Sequence, residues 1–369
     1  NMVAKAFEKM RTELDAKIFK LSKERQQTEA ILKTMREGII CVNRSGVVKI
    51  VNDRAKSLLE LTHEQAHKDE SIENLLENYP DLLRFSKTAM SRQEFTEEDI
   101  VLEGNVQKYI RVSAAPIQQD DSKNVVFVFH DITTIKQLEE TRKKFVANVS
   151  HELKTPITTI KSAVETILNL KEGDKENREK FMSIVSRHSE RMDSIIDDLL
   201  QLSKLEVDPE GVHLITVDQN LSMCIQNAIG ILNYKSEKSG VPIHFEEAHL
   251  SYPHNPDLLE QAVKNLIDNA MKYTDPDKGV VVSLLKEAGE VLIQIKDFGA
   301  GIEDHHLKHL FHRFYRVDNA RSRQLGGTGL GLAIVKHISQ VHGGYVSVTS
   351  EVEKGSVFTI HLPISETNS

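Results

Sequence analysis

Residues 150 to 156 read SHELKTP, with His151 beside Glu152, four residues before Thr155 and five before Pro156. An imidazole next to a carboxylate can form a reactive, proton-handling pair, yet the same histidine could be a piece of helix core. Further along, LLEQAVKNLIDNAMKYT sets Gln261, Asn265, Asn269 and Lys272 in a polar row on a helix whose other side is apolar. Amide oxygens can ligate magnesium and an ammonium can meet phosphate, although the row could equally be a wet face. In VLIQIKDFGAG, period-2 alternation puts Asp297 on the side of Val291, Ile293 and Ile295, where a carboxylate needs a donor. The exocyclic amine of a bound purine could be that donor, as could a buried backbone amide. Gly299 and Gly301 then let the backbone approach a ligand closely.

The last of these stretches, RSRQLGGTGLGLAIVKHISQV, runs through Gly326, Gly327, Gly329 and Gly331 into a helix start, where free N–H groups attract phosphate. It has neither the GK[ST] of a Walker loop nor GxGxxG spacing, so it is a different phosphate loop. Between the glycine segments, HLFHRFYRVDNARS makes a basic, aromatic lid with Arg313, Arg316 and Arg321 available to phosphate. The helix-surface setting of His305, His306, His309 and His312 argues against a metal there.

These groups must be positioned by helices and strands whose patterns are visible. Val146, Val149, Leu153, Pro156, Ile160, Ala163, Ile167 and Leu170 follow an unbroken 3,4 spacing, the seam of a helical bundle. A second helix repeats it through Phe181, Val185, His188, Met192, Ile195, Leu199 and Leu202, after the turn-like KEGDKEN. A hairpin of two such helices leaves half of each stripe wet, and pairing two hairpins into a four-helix bundle would cover it. With Val146 at a and Val149 at d, His151 falls at f, outside the seam, with Thr155 on the same outer face. The core reading fails for His151, whereas His188 occupies a seam position and reads as packed. Pro156 removes the bond to the carbonyl of Glu152 and kinks the rod beside His151.

The 369 residues allow two or three domains, 39% apolar content can fill real cores, and a net charge of -8 argues against a nucleic-acid binder. The two cysteines, Cys41 and Cys224, are far apart and lack CxxC spacing, which points to reduced thiols rather than a disulfide or zinc framework. No run spans a bilayer. The chain enters at Asn1 on a charged helical pattern, as a piece cut from something longer would. Four regions follow: a helical connector over 1–29, coiled-coil-like through Phe7, Met10, Leu14, Ile18 and Leu21, or a solvated single helix; a small α+β domain over 30–132; the hairpin over 133–206; and an α/β region over 213–365. His63 and His67, with Asp69 and Glu70 close by, could hold a metal or form a polar helix face.

SHELKTP, NLIDNAMKYT, DFGAG, LFHRFYR and GGTGLGLAI, in that order, resemble the H, N, G1, F and G2 boxes of the sensor histidine kinases of bacterial two-component systems, most closely the PhoR and WalK types. GIICVNRSGVVKIVNDRA and the closing HDIT resemble a PAS domain. The resemblance implies a multidomain protein: an α+β PAS-like sensor, an antiparallel helical hairpin that dimerises into a four-helix bundle, and an α/β sandwich ATP-binding domain of the gyrase, Hsp90 and histidine kinase type.

It further implies His151 as phosphoacceptor, Glu152 as the carboxylate that takes its Nδ1 proton, and Thr155 as the residue orienting water for dephosphorylation of a partner response regulator. ATP would be bound by Asn265, Asn269, Lys272, Tyr273, Asp297, Gly299, Gly301, Arg313, Arg316, Gly327, Thr328, Gly329, Leu330 and Gly331, with Asn265 and Asn269 on Mg²⁺. His309 and His312 depart from the family's apolar residue and glutamate. The implied partners are a response regulator and a second copy, with a membrane anchor upstream of Asn1 and no nucleic acid. A clamp-type ATPase of the same superfamily would lack the SHELKTP hairpin. A noncatalytic sensor scaffold would not need intact Asn269, Asp297 and glycines.

Overall fold

A computed structural model describes residues 2–61, 69–92, 94–104, 107–119, 122–171, 174–207, 217–287, 289–317 and 327–364. His63, His67, Arg321 and Gly326 lie outside the described residues. The chain forms two units, Asn1–Lys144 and Phe145–Ser369.

In the first unit, helix α1 (Met2–Thr34) runs past residue 29 and leaves Phe7, Met10, Leu14, Ile18 and Leu21 exposed. Strands β1 (Gly38–Val42) and β2 (Val48–Val51) are followed by α2 (Asp53–Leu58), α3 (Ile72–Leu75), α4 (Pro80–Arg92), β3 (Thr96–Leu102), β4 (Lys108–Gln119) and β5 (Ser122–Asp131). They form one antiparallel sheet in the order β2-β1-β5-β4-β3. Alternation explains its buried face: Ile110, Val112 and Ala114 on β4 and Val125, Phe127 and Phe129 on β5 all turn inward. The β1–β2 turn is closed by Asn43, whose Oδ1 accepts from the amides of Ser45 and Val47, while Gly46 takes φ +79°. Asp69 pairs with Lys49 at 2.8 Å, and the described residues contain no cluster of three or more metal-ligating side chains.

In the second unit, α5 (Thr133–Asn169), which begins in the first, and α6 (Lys175–Val207) make the hairpin. Pro156, Ala163, Ile195, Leu202 and Leu205 are buried, while Val146, Ile157, Val164, Leu168, Met182, Ile196 and Leu200 remain exposed, as two helices alone must leave them. The remainder is a sandwich. Its sheet runs β11 (Tyr345–Glu351), β12 (Gly355–Pro363), β10 (Glu290–Lys296), β9 (Val280–Glu287), β7 (Ile243–Phe245), with only the β7–β9 pair parallel. Helices α7 (Leu221–Ser239), α8 (Pro256–Tyr273) and α10 (Gly331–Val341) share a core with it, built from residues such as Ile225, Leu266, Ile334, Ile293 and Ile360. A short ribbon of β6 (Val217–Asn220) and β8 (Ser251–His254) and the small helix α9 (Asp304–Leu307) complete the unit. No helix among the described residues is long and apolar enough to cross a membrane.

Helix α8 starts where its sequence says it should. Asn255 caps it through Leu258 N–H, Pro256 occupies the first turn, and Asp257 and Lys272 complement the dipole at opposite ends. The backbone N–H of Asn255 donates to Nε2 of His342 at 3.1 Å, and Nδ1 of His342 lies 2.8 Å from the carbonyl of Ile338. Only the neutral imidazole with its proton on Nδ1 satisfies both bonds. Burial, and to a smaller extent His254, hold this imidazole below its ordinary value of 6.5. The folded state resists a proton that the unfolded chain accepts, so this contribution to stability is complete above the ordinary value and is lost as pH falls below it. We expect the urea midpoint of the sandwich to drop between about pH 7.5 and about pH 5.5, and to drop less in His342→Gln.

Candidate active site

His151 and Thr155 are exposed on the outer face of α5, and Pro156 between the helices is buried, in agreement with the heptad register. The Thr155 hydroxyl donates back to the carbonyl of His151 at 3.2 Å. Glu152 turns elsewhere. Its Oε2 accepts from Arg191 on α6 at 3.0 Å and lies 3.5 Å from a guanidinium nitrogen of Arg316. Both arginine side chains are largely buried, at 12% and 6% exposure, which makes these ion pairs far less screened than surface ones. His188 is half-buried, and its imidazole is pulled low by burial and then by Arg187 and Arg191, which accords with a packed histidine.

On α8, Leu259, Ala262, Val263, Leu266, Ile267 and Ala270 are buried, and Gln261, Asn265, Asn269 and Lys272 occupy the half-buried margin. Gln261 donates to Asn265 Oδ1 at 3.1 Å, and the Asn265 amide reaches the carbonyl of Gly331 at 3.5 Å. Helix α8 and the start of α10 are thereby laid side by side. Lys272 pairs with Asp268 at 2.7 Å, and Lys235 also bonds Asp268. Burial alone would raise the Asp268 carboxyl, but the two lysines outweigh it and hold it below the ordinary carboxylate range.

Asp297, one residue beyond β10, is 5% exposed. Its Oδ1 accepts from the amides of Gly299 at 3.0 Å and Ser356 at 3.1 Å. The buried-amide alternative is therefore realised. A carboxylate has about four accepting positions, however, and these two bonds leave room for a further donor such as a purine amine. Burial pushes the Asp297 carboxyl up, against the pull of its hydrogen bonds. Tyr273, the last residue of α8, is exposed.

In the lid, Phe314 holds φ +62° and its N–H donates to the carbonyl of Gly329 at 2.8 Å; Gly329 itself is at φ +76°. Thr328 bonds the Leu330 amide at 3.2 Å and donates its hydroxyl to Asp198 on α6 at 2.6 Å. Leu330 is fully buried. Arg316 donates to the carbonyl of Gly327, and Arg313 lies 5.2 Å from the ring centre of Phe145, which is itself 6.0 Å from the ring of Phe314. Arg313 and Arg316, two of the arginines that the sequence offers to phosphate, are engaged by the hairpin in this arrangement. His306 Nδ1 lies 2.7 Å from the Tyr315 hydroxyl, so part of the histidine-rich stretch is used in holding the lid together.

Three family models match: a PAS domain over residues 36–134, a His Kinase A (phospho-acceptor) domain over 141–207, and a histidine kinase-, DNA gyrase B- and HSP90-like ATPase over 254–366. The sensor histidine kinase WalK of Bacillus subtilis is 34% identical over 356 residues, 93% of this chain and 56% of that protein. The chain belongs to the sensor histidine kinases of bacterial two-component systems. The sensor protein SrrB of Staphylococcus aureus is 30% identical over 365 residues, 99% of this chain and 60% of that protein. The chain thus spans less than two thirds of the length of these curated relatives. Among solved structures, the histidine kinase ThkA, crystallised with the response regulator protein TrrA, matches over 92% of this chain and 99% of its own at 19% identity and a TM-score of 0.50, a likeness of fold.

Two features of this chain differ from the expectations set by its sequence. First, Gly299 and Gly301 do make close backbone approaches, but to the protein itself. A Cβ on Gly299 would stand 2.3 Å from the carbonyl oxygen of Tyr273, and one on Gly301, at φ +69°, 2.1 Å from that of Glu351. These glycines fasten the loop after β10 to the end of α8 and to β11. Second, Asp198 and Ser356 carry contacts that reasoning from motifs missed. Asp198 sits beside the seam residue Leu199 in IIDDLL, where a carboxylate next to an apolar stripe is the only signal; Ser356 has none, being 59 positions from its partner. Gly301→Ala should combine backbone strain with a clash against fixed backbone and cost at least about 2 kcal/mol. Thermal unfolding of this variant against wild type measures it.

Proposed function

We propose that this chain is the catalytic portion of an ATP-dependent protein-histidine kinase that phosphorylates His151 and passes the phosphoryl group to an aspartate of a response regulator. The observation that carries this reading is the presence in one unit of an exposed face with His151 and Thr155, Glu152 turned inward beside them, and a sandwich whose sheet ends in a buried, amide-bound carboxylate. The phospho-acceptor match over 141–207 favours it over a clamp-type ATPase.

The proposed division of labour follows from the chemistry of each group. Nε2 of His151 attacks the γ-phosphorus of ATP, the bond to the β,γ-bridging oxygen breaks, ADP departs, and Glu152 receives the Nδ1 proton. Asp297 accepts from the adenine amine, with Gly299, Gly301 and Tyr273 shaping the base site. Lys272, Arg313, Arg316, Gly327, Thr328, Gly329 and the α10 start at Leu330 and Gly331 meet the phosphates. The amide oxygens of Asn265 and Asn269 suit magnesium, which when bound neutralises phosphate charge. Asn265 fits this role because, among the described residues, its oxygen accepts one amide hydrogen bond, from Gln261, and an amide oxygen has a second lone pair.

The exposed apolar residues of the hairpin would be covered by a second copy in a four-helix bundle, and residues 133–206 are proposed as the dimerisation module, preceded by the PAS-like sensor over 30–132 and the connector over 1–29, and followed by the ATP module over 213–365. Thr155 would orient water for dephosphorylating the regulator, which makes the protein bifunctional. A membrane anchor is proposed upstream of Asn1.

With γ-labelled ATP and Mg²⁺, wild type should gain acid-labile, base-stable label and His151→Ala should gain none; label persisting in that variant sinks the reading. Thr155→Ala should keep autophosphorylation within a few-fold while slowing loss of phosphate from a phosphorylated regulator by ~10-fold or more, followed by release of inorganic phosphate.

A further inference from the structure

Two acidic side chains of the hairpin reach the loop residues proposed to meet the triphosphate. Thr328 Oγ1 donates to Asp198 Oδ2 at 2.6 Å, and Arg316 lies 3.5 Å from Glu152 Oε2 while also donating to Gly327. The contact is backed by packing: Leu202 and Leu205 of α6 are buried in the same core as Leu330 and Ile334, and Leu199 packs against it. The polar end of that interface is Asp198. Burial pushes its carboxyl up, and the Thr328 hydrogen bond, Lys272 and Lys264 pull it the other way. Lys272, a proposed phosphate ligand, therefore acts on the charge of Asp198.

We propose that Asp198 is an internal competitor of the nucleotide: in the closed arrangement its carboxylate holds the hydroxyl of Thr328 and shares the field of Lys272, so ATP phosphates bind only when α6 releases the loop. The inference rests on the nucleotide-site reading given above. A carboxylate hydrogen-bonded to Thr328 places negative charge where several phosphate charges would arrive, and like charges at contact distance inside a partly buried site repel strongly. Opening the Asp198–Thr328 contact removes this repulsion. It also draws Arg316 off Glu152, so the event that admits ATP leaves the carboxylate beside His151 with one arginine partner, Arg191, in place of two. Apparent affinity is then the intrinsic affinity reduced by the fraction of open molecules.

The test is nucleotide binding by the full chain, read with a fluorescent ATP analogue and Mg²⁺. Asp198→Asn keeps the shape and removes the charge. If the closed form outnumbers the open by about nine to one, its Kd should fall roughly tenfold. Asp198→Ser should shift Kd in the same direction, which guards against a packing defect in either variant. In a Thr328→Val background the gain from Asp198→Asn should vanish, because the competition has lost its object. A Kd unchanged or weakened in both Asp198 variants, or a gain that persists undiminished in the Thr328→Val background, overturns the proposal while leaving the nucleotide site standing. Absence of binding in wild type and every variant overturns both.

Discussion

A carboxylate buried at the end of a β-strand is the constraint around which the sandwich is arranged. Removing Asp297 from water costs several kcal/mol unless its oxygens are supplied with donors, and hydrogen bonds to a charged acceptor return about 1.5–3 kcal/mol each. The two amides that do so come from opposite directions, Gly299 from the loop just after β10 and Ser356 from the start of β12. Both can approach only because glycines stand where a side chain could not. A Cβ on Gly355 would lie 2.1 Å from the carbonyl oxygen of Asp297, and one on Gly299 would collide with Tyr273 at the end of α8. The strand, the hairpin beginning at Gly355 and the C-terminus of the polar-row helix are thus drawn to one point. A neutral apolar residue at 297 would lower the desolvation cost and leave these glycines without a purpose, so the arrangement is better explained by recognition than by stability.

The hairpin solves a different problem and solves it only in part. Two amphipathic helices cannot bury their stripes in each other, and the residues left outside, from Val146 to Leu200, are apolar. At its lower end, α6 finds cover of another kind, since Leu202 and Leu205 enter the core of the sandwich with Ile225 and Leu266. One helix therefore belongs to two packing systems. Any shift of α6 along or about its axis must disturb either the bundle seam or the sandwich core, which is the sort of bistable element through which a signal can act.

How much of this was legible beforehand depended on whether the information was local. Periodicity is local, so the seams of α5 and α6, the apolar side of α8 and the inward turn of Asp297 could be read from spacing alone, and His151 could be placed outside the bundle by counting. Short strands such as β6, β7 and β8 carry too few residues to show a period, and they went unread. Partners distant in sequence left no trace either. Nothing in DFGAG points to Ser356, and nothing in SHELKTP points to Arg191 or Arg316, although these decide what Asp297 and Glu152 can do. The glycines were recognised as places of close approach, but what approaches them is backbone from α8 and β11, a fact of tertiary packing.

The same distinction bears on what the motifs mean. Read singly, Glu152 is a base, Arg316 a phosphate ligand and Thr328 part of a phosphate loop; each role assumes that the group is free to meet its substrate. In the folded chain, Glu152 and Arg316 face each other in surroundings from which water is largely excluded, and Thr328 is already donating. An ion pair so placed is expensive to break by removing one member, yet cheap to exchange when a new anion replaces the old one, because the arginine never loses a partner. Exchange of anions is what a triphosphate arriving at Arg316 and Thr328 would accomplish. Groups that are catalytic in one arrangement can therefore be the fastening of another, with no residue needed for inhibition alone beyond the carboxylate of Asp198.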